Sequence, residues 1–311
     1  MKVLVVGAGG VGGYYGGVLS KSGEDVTLLA RGEHLRAIQD RGLLLKSETS
    51  GSFTVSPRAV ERPDGSWMAD LALFCVKSYQ NQKAIEAMAP AIGDETNILT
   101  LQNGIGAGTE LGETFGSDKV LLGATYIDGW IESPGVVGEG GLSVRTVFGE
   151  ETGVETDRTV RVLEMFNRAG IDAELSTDIF SALWSKLLLI CGLSGMSCIT
   201  QGSIQAVLET PVTRELTRRL LTEVKEVGTA KGVRFDEGIV DRSMALLHEE
   251  RKAITSSMYL DMVAGKPLEI GVLNGAVSSS GKEVGIETPI NDFVTACLSV
   301  VDGRGPNRPR I

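Results

Sequence analysis

The residue pattern of this chain predicts an α/β domain built on a doubly wound parallel sheet, followed by an all-α domain. Three observations carry that expectation. Short β-branched runs alternate with segments of helical spacing through the first half; a glycine-rich turn follows the first of those runs; and after Asp178 helical periodicity takes over almost to the end.

Lys2 to Val6 is β-branched-rich and ends at Gly7, the pattern of a strand buried on both faces. Val11 to Ser22 carries small and apolar residues at helical spacing, and Gly23 is its stop. Asp25 to Ala30 reads as a second strand, and Glu33 to Arg41 as a helix stopped by Gly42. Leu71 to Val76 is a third buried strand, with a helix across Gln80 to Met88; Asn97 to Leu101 and Val120 to Tyr126 are the fourth and fifth. Leu43 to Pro57 alternates as a small antiparallel excursion does, and Ile127 to Phe148, rich in Gly, Val and Ser, reads as irregular β-hairpins. A helix over Thr156 to Arg168 and a strand near Ile171 to Leu175 complete a domain spanning 1–177.

The second domain, 178–311, opens with Asp178 as the N-cap of a helix running to about Ile190. Glu209 to Lys231 is amphipathic, with Pro211 tolerated in its first turn. Further helices are expected at Glu237 to Glu250, Gly271 to Lys282 and Pro289 to Val301. The tail Gly303 to Ile311, with its Gly, Pro and Arg residues, reads as a frayed terminus, an anion-binding tail being the alternative.

Composition narrows the function. With 311 residues, 42% hydrophobic and 23% charged, the chain is long enough for two ordinary globular domains. A net charge of -10 repels a phosphate polymer, so nucleic acid is not the expected partner. The four cysteines form no CxxC pair and suit a reducing compartment; with no leader-like start and Leu187 to Leu193 too short to span a bilayer, the expected location is the cytoplasm, away from membranes. The two histidines, His34 and His248, fall on expected surface helices, which argues against a His-dependent dehydrogenase and against a metal site.

Gly7-Ala8-Gly9-Gly10-Val11-Gly12 matches GxGxxG between a strand and a helix, the Rossmann-type dinucleotide fingerprint. The first glycine permits the tight turn, the second lets the backbone approach a pyrophosphate, and the third lets helix and strand pack closely. The helix then aims its N-terminal N–H groups at the phosphates. At the end of the second strand stands Leu29-Ala30-Arg31, with no carboxylate to hold a ribose 2′-hydroxyl. A guanidinium there pairs with a 2′-phosphate, so the expected cofactor is NADPH/NADP, with Arg31 on that phosphate; an exposed loop arginine is the competing reading. Lys77, just past the third strand, is placed to serve the phosphates or ribose.

The opening MKVLVVGAGGVGGYYGGVLSKSGEDVTLLAR, the segment Val76-Lys77-Ser78-Tyr79-Gln80 and Leu101-Gln102-Asn103-Gly104 together resemble the ketopantoate reductase (2-dehydropantoate 2-reductase) family. Trp184-Ser185-Lys186-Leu187, Ser256-Ser257-Met258, Leu268-Glu269-Ile270, Asn274-Gly275 and Pro289 extend the resemblance, in order, along nearly the whole chain. Members reduce 2-dehydropantoate to pantoate with NADPH, on the route to pantothenate and coenzyme A. By motif, the resemblance implies that Lys186 is the general acid and that Glu269 engages it and the substrate hydroxyl. It puts Asn103 near the nicotinamide, Ser257 on the substrate carboxylate, and Lys77 and Gln80 in the cofactor segment. Where the family often carries asparagines after its lysine, this chain has Ile190 and Ser194 at those substrate-facing positions, and the glutamate motif is Leu268-Glu269-Ile270-Gly271.

The residues alone support the chemistry without requiring it. Ketone reduction leaves negative charge on oxygen, which a proton-donating cation stabilises. Lys186 sits in the apolar run Leu183 to Leu189, where burial would lower its pKa; a lysine snorkelling from a helix edge is the other reading. Glu269 taken by itself reads as a surface charge, and Asn103 before Gly104 as an ordinary turn. The expectation is therefore a 2-keto acid reductase in which an ammonium from the helical half meets a nicotinamide carried by the sheet. A paralogue acting on another carbonyl and a silent NADPH-binding sensor are its alternatives. A homodimer through the helical half is compatible with the sequence, which shows no dedicated seam for one.

Overall fold

The computed structural model describes residues 1–249 and 256–302; the expected tail Gly303 to Ile311 and the last residue of the expected helix Glu237 to Glu250 lie outside them. The chain divides into two compact units, one of Met1–Gln102 with Ala107–Ile179, the other of Asn103–Gly106 with Phe180–Ile311. The turn that begins at Asn103 thus belongs to the second unit, whereas the sequence pattern places it in the first.

The strands of the first unit are β1 (Lys2–Val6), β2 (Asp25–Leu29), β3 (Leu43–Ser47), β4 (Gly51–Val55), β5 (Arg58–Val60), β6 (Leu71–Phe74), β7 (Asn97–Thr100), β8 (Val120–Ser133), β9 (Val136–Gly149) and β10 (Asp172–Leu175). Its helices are α1 (Gly10–Lys21), α2 (Gly32–Arg41), α3 (Asn81–Met88), α4 (Ala107–Phe115) and α5 (Asp157–Arg168). The sheet runs β4-β3-β9-β8-β7-β6-β1-β2-β5, with β10 beside β9. The stretch β5-β2-β1-β6-β7-β8 is parallel throughout. Its winding outward from β1 in both directions is that of a dinucleotide-binding sheet.

Alternation along β1 explains the two layers of helices. Val3 and Val5 pack in a core with Tyr15 and Leu19 of α1, Ile38 of α2 and Phe166 of α5. Leu4 and Val6 join a second core with Ile85 and Met88 of α3 and Leu111 of α4. A strand buried on both faces leaves no polar alternation, which is why the sequence shows a continuous apolar run there.

Two expectations for this unit are corrected. Val120 to Tyr126 is only the start of a 14-residue strand, and Ile127 to Phe148 is no set of irregular hairpins. β8 and β9 form one long antiparallel hairpin, with register shifts between Tyr126 and Asp128 and between Ile131 and Ser133. The shifts and glycines break strict alternation, which hid a continuous ladder. Helix α4 also lacked a sequence reading. The excursion at 43–55 is the antiparallel pair β3–β4, as expected.

The second unit is helical: α6 (Ile179–Ile190), α7 (Met196–Thr200), α8 (Ile204–Glu209), α9 (Pro211–Ala230), α10 (Ile239–Glu249), α11 (Ser257–Val263), α12 (Asn274–Val284) and α13 (Pro289–Asp302). Pro211 opens α9 where its missing N–H costs nothing. The expected helix from Gly271 begins three residues later: Ile270–Val272 is a 3₁₀ turn, and α12 starts at Asn274. A π-turn, Cys191–Gly195, joins α6 to α7. Together they make a 22-residue helix, Ile179–Thr200, long and apolar enough by composition alone to cross a membrane, against the shorter run expected from sequence. Its Trp184, Leu187, Leu188 and Cys191 are buried in the core of this unit beside Leu220 and Leu221 of α9 and Val277 of α12. Its apolarity is that of a central helix covered on most sides.

Candidate functional site

The glycine-rich turn adopts the geometry its spacing requires. Gly7 has φ +95°, and a side chain there would strike Val76 Cγ1 at 2.6 Å. A Cβ on Gly12 would stand 2.0 Å from the Gly7 carbonyl oxygen, so α1 packs against the turn at backbone distance. Above Gly9, nothing lies within 4 Å of the corresponding position. Gly9 is also the N-cap of α1 and brings no side chain to the helix's first N–H groups. An open cradle over uncapped amides fits a pyrophosphate.

Arg31 caps α2 from an exposed position past the end of β2. Lys77 and Gln80 bound a 3₁₀ turn after β6, both half-buried. That turn is held by a residue to which sequence reading gave no role of its own. Gln102 is buried and donates to the Val76 carbonyl at 2.5 Å and to Asn81 Oδ1 at 2.7 Å, while Asn81 donates to Glu110 Oε2 at 2.6 Å. The amide of Gln102 therefore fixes the backbone just before Lys77 to α3 and, through Asn81, to α4.

In the second unit three expected residues come together. Lys186 on α6 is 7% exposed, and its Nζ donates to Asn103 Oδ1 at 2.7 Å. Glu269 is 5% exposed, which overturns the surface-charge reading. Burial pulls the Lys186 ammonium down to a pKa of about 8, and the negative charge of Glu269 works against that fall. Apolar neighbours lower the pKa, a carboxylate keeps the charged form accessible, and an amide oxygen orients it. The snorkelling reading is excluded by the same burial.

The Asn103 turn is also more than a connector. Gly104 has φ +86°, and a Cβ on it would stand 2.2 Å from the Val272 carbonyl oxygen; Ile105 N–H donates to that same carbonyl at 3.2 Å. A non-glycine residue at 104 would be strained and would push the turn off the Ile270–Val272 segment. That segment directly follows Glu269, so one backbone contact ties Asn103 and Glu269 to a common frame.

Ile190 lies one turn beyond Lys186 and is half-buried; Ser194 is buried within the π-turn. In an unbroken α-helix Ser194 would be rotated by about 80° from Lys186. The extra residue of a π-turn winds it back by up to about 100°, toward the lysine's face. Ser257 is not drawn in: it is exposed in the first turn of α11, and among the described residues no hydrogen bond joins it to Lys186, Asn103 or Glu269. Its neighbour Ser256 is the buried one, capping α11 by accepting from Tyr259 N–H.

The surface-helix expectation for His34 is corrected. His34 is not a solvated helix residue: it is half-buried, and both ring nitrogens are engaged by backbone, at the Ala8 carbonyl and the Gly135 N–H. His248 is exposed, as expected. Nothing in the spacing of α2 signals the difference, because both partners of His34 are remote in sequence.

Known proteins resemble the chain along nearly its whole length. The family model for ketopantoate reductase PanE/ApbA matches residues 3–153, and the model for its C-terminal domain matches residues 178–302. A 2-dehydropantoate 2-reductase of Mesorhizobium japonicum is 31% identical over 322 residues, covering 96% of this chain and 97% of that protein. An uncharacterized oxidoreductase of Bacillus subtilis, YkpB, is 30% identical over 302 residues, covering 97% and 99%. The crystal structure of a PanE/ApbA family ketopantoate reductase from Ralstonia eutropha superposes with a TM-score of 0.90 at 32% identity, covering 98% of this chain and 99% of the other. With both halves matched in order, the chain belongs to the ketopantoate reductase family of NAD(P)-dependent oxidoreductases.

Proposed function

We propose that this protein reduces 2-dehydropantoate to (R)-pantoate with NADPH, Lys186 serving as the general acid. The observation that carries the reading is the buried ammonium of Lys186, oriented by Asn103 at 2.7 Å and biased by the charge of Glu269. When bound, the dinucleotide supplies the hydride. The cradle at Gly7, Ala8, Gly9, Gly10, Val11 and Gly12 would take its pyrophosphate, Arg31 its 2′-phosphate, and Lys77 and Gln80 its ribose end. Lys186 holds the proton that the nascent alkoxide needs, and a pKa near 8 leaves that proton both present and transferable at neutral pH. Glu269 keeps the ammonium charged before turnover, and Asn103 keeps it aimed. Ser194 offers a hydroxyl on the lysine's side of the helix for a substrate oxygen.

A second reading is favoured by one residue. Ile190 gives a half-buried hydrocarbon where the family resemblance implies an amide, so a 2-keto acid with a more apolar side chain is the alternative substrate. NADPH oxidation with 2-dehydropantoate and a panel of 2-keto acids decides between them. Saturable turnover of 2-dehydropantoate at micromolar to millimolar KM supports the first reading. Preference for a bulkier, more apolar acid supports the second, and tight NADPH binding without turnover of any 2-keto acid overturns both.

A further inference from the structure

The loop that would hold the pyrophosphate and the helix that begins at Arg31 are joined by one side chain. His34, in the first turn of α2, has Nε2 2.8 Å from the Ala8 carbonyl oxygen, inside the glycine-rich turn. Its Nδ1 accepts from the Gly135 N–H at 3.0 Å, at the tip of the β8–β9 hairpin. A backbone N–H can only donate and a carbonyl can only accept, so the two partners leave one arrangement. Nδ1 carries a lone pair and Nε2 carries the proton: the neutral Nε2–H tautomer. An imidazolium would set an N–H against the Gly135 N–H. Burial likewise holds the ring below the usual histidine pKa.

The hairpin tip is itself seated on the same helix. The Gly135 carbonyl accepts from Leu44 N–H at 2.9 Å, and a Cβ on Gly135 would stand 3.0 Å from Ala37 Cβ on α2. The far side of the hairpin meets the glycine-rich turn directly: a Cβ on Gly10 would stand 2.0 Å from the Gly129 carbonyl oxygen. Turn, helix and hairpin thus form a closed ring of contacts, and among the described residues His34 is the one side chain of α2 that hydrogen-bonds to both of the other elements. Arg31 lies three residues before it, at the start of α2.

We propose that His34 is a positioning residue for the dinucleotide: as a neutral Nε2–H imidazole it fixes the spacing between the pyrophosphate turn and Arg31, and so sets affinity for the adenosine-phosphate end of the cofactor. It touches neither the reacting atoms nor the phosphates and acts through the Ala8 carbonyl. The proposal rests on the dinucleotide reading above. Glutamine at 34 carries one donor and one acceptor at a spacing close to that of the ring nitrogens, so it can serve both partners; alanine can serve neither.

The test uses the full chain as wild type, His34→Gln and His34→Ala. Two-dimensional ¹⁵N–¹H spectra of the imidazoles, recorded without cofactor, report the tautomer; with only two histidines in the chain, the signal lost in His34→Gln is that of His34. The expected spectrum at pH 7 shows Nε2 protonated and Nδ1 bare, and an Nδ1–H or averaging signal overturns the clamp. Dissociation constants for NADPH and for adenosine 2′,5′-bisphosphate are then measured by calorimetry. His34→Ala is expected to weaken both by about tenfold, the scale of one lost charge-free hydrogen-bond relay, with kcat at saturating NADPH nearly unchanged. His34→Gln is expected to return both to within about threefold of wild type. Unchanged binding in His34→Ala, or no recovery in His34→Gln despite a native melting temperature, overturns the proposal. If the wild type binds neither ligand, the dinucleotide reading itself has failed and the proposal falls with it, a result distinct from a wild type that binds and an alanine variant that binds equally well.

Discussion

At the residue scale, the feature that separates this site from an ordinary helix is a lysine held in an apolar setting. Lowering its pKa from 10.5 to about 8 disfavours the charged form by something on the order of 3 kcal/mol, a cost borne by the folded state at neutral pH. The sign is that of a depressed lysine: stability is full above its unfolded pKa and falls as pH drops from about 10.5 toward 8. Evolution retains such a cost where the group does chemistry. For carbonyl reduction the ammonium is the active form, so kcat is expected to be level below pH 8 and to fall about tenfold per unit above it. Lys186→Ala is expected to lower kcat by about 10²- to 10⁴-fold and to flatten that profile, with NADPH affinity changed little. Steady-state rates between pH 6 and pH 10, as buffer settings on the order of half a unit apart, check both statements; a wild-type rate that climbs through pH 8 would count against an ammonium donor.

At the element scale, the π-turn between α6 and α7 sets how the residues after Ile190 are rotated relative to Lys186. Its position is secured by a buried polar chain. Asn274, at the start of α12, donates to the Cys191 carbonyl at 3.4 Å and to Asn291 Oδ1 at 2.9 Å. Asn291 in turn donates to Glu223 Oε2 at 2.7 Å, and Glu223 accepts the backbone N–H groups of Ile290 and Asn291 at the start of α13. The chain runs from α9 through α13 and α12 to the π-turn, and each link uses a group that would otherwise be stranded in the core. Gly195 is part of the fit, because a Cβ there would stand 3.1 Å from the Asn274 amide. Asn274→Ala is expected to destabilise the protein by about 2–3 kcal/mol, since it unpairs buried partners at both ends. Urea unfolding followed by circular dichroism checks it, and a change within about 0.5 kcal/mol would mean the chain is not structural.

At the scale of the whole molecule, each of the two units has its own apolar core, so stabilisation by a ligand need not be uniform along the chain. A dinucleotide bound at the glycine-rich turn, as proposed, would stabilise the folded first unit by mass action, by about 2.7 kcal/mol at a ligand concentration of 100 Kd. For a unit of this size that corresponds to a rise in melting temperature of roughly 5–10 °C. NADPH is expected to give the larger rise and NADH the smaller, and Arg31→Asp is expected to reverse that order by placing a carboxylate where the 2′-phosphate would bind. Differential scanning fluorimetry with both cofactors is the measurement. An Arg31→Asp protein with the wild-type ranking would remove Arg31 from the 2′-phosphate.

The sequence alone determined the winding of the sheet, the helical character of the second half and the glycine-rich turn between β1 and α1. Those features are written in local pattern: apolar runs where strands are covered on both faces, 3.6-residue spacing where one stripe is buried, and glycines where backbone meets backbone. Lys186 was conspicuous for the same reason, as a charge inside an apolar run. Tertiary structure alone decided what surrounds it. The partner amide at Asn103 is 83 residues away in sequence, Glu269 is buried by helices that its own neighbours do not announce, and the two backbone partners of His34 lie 26 and 101 residues from it. Burial and hydrogen-bond partnership at such separations depend on where the chain returns in space, and residue periodicity carries no record of that.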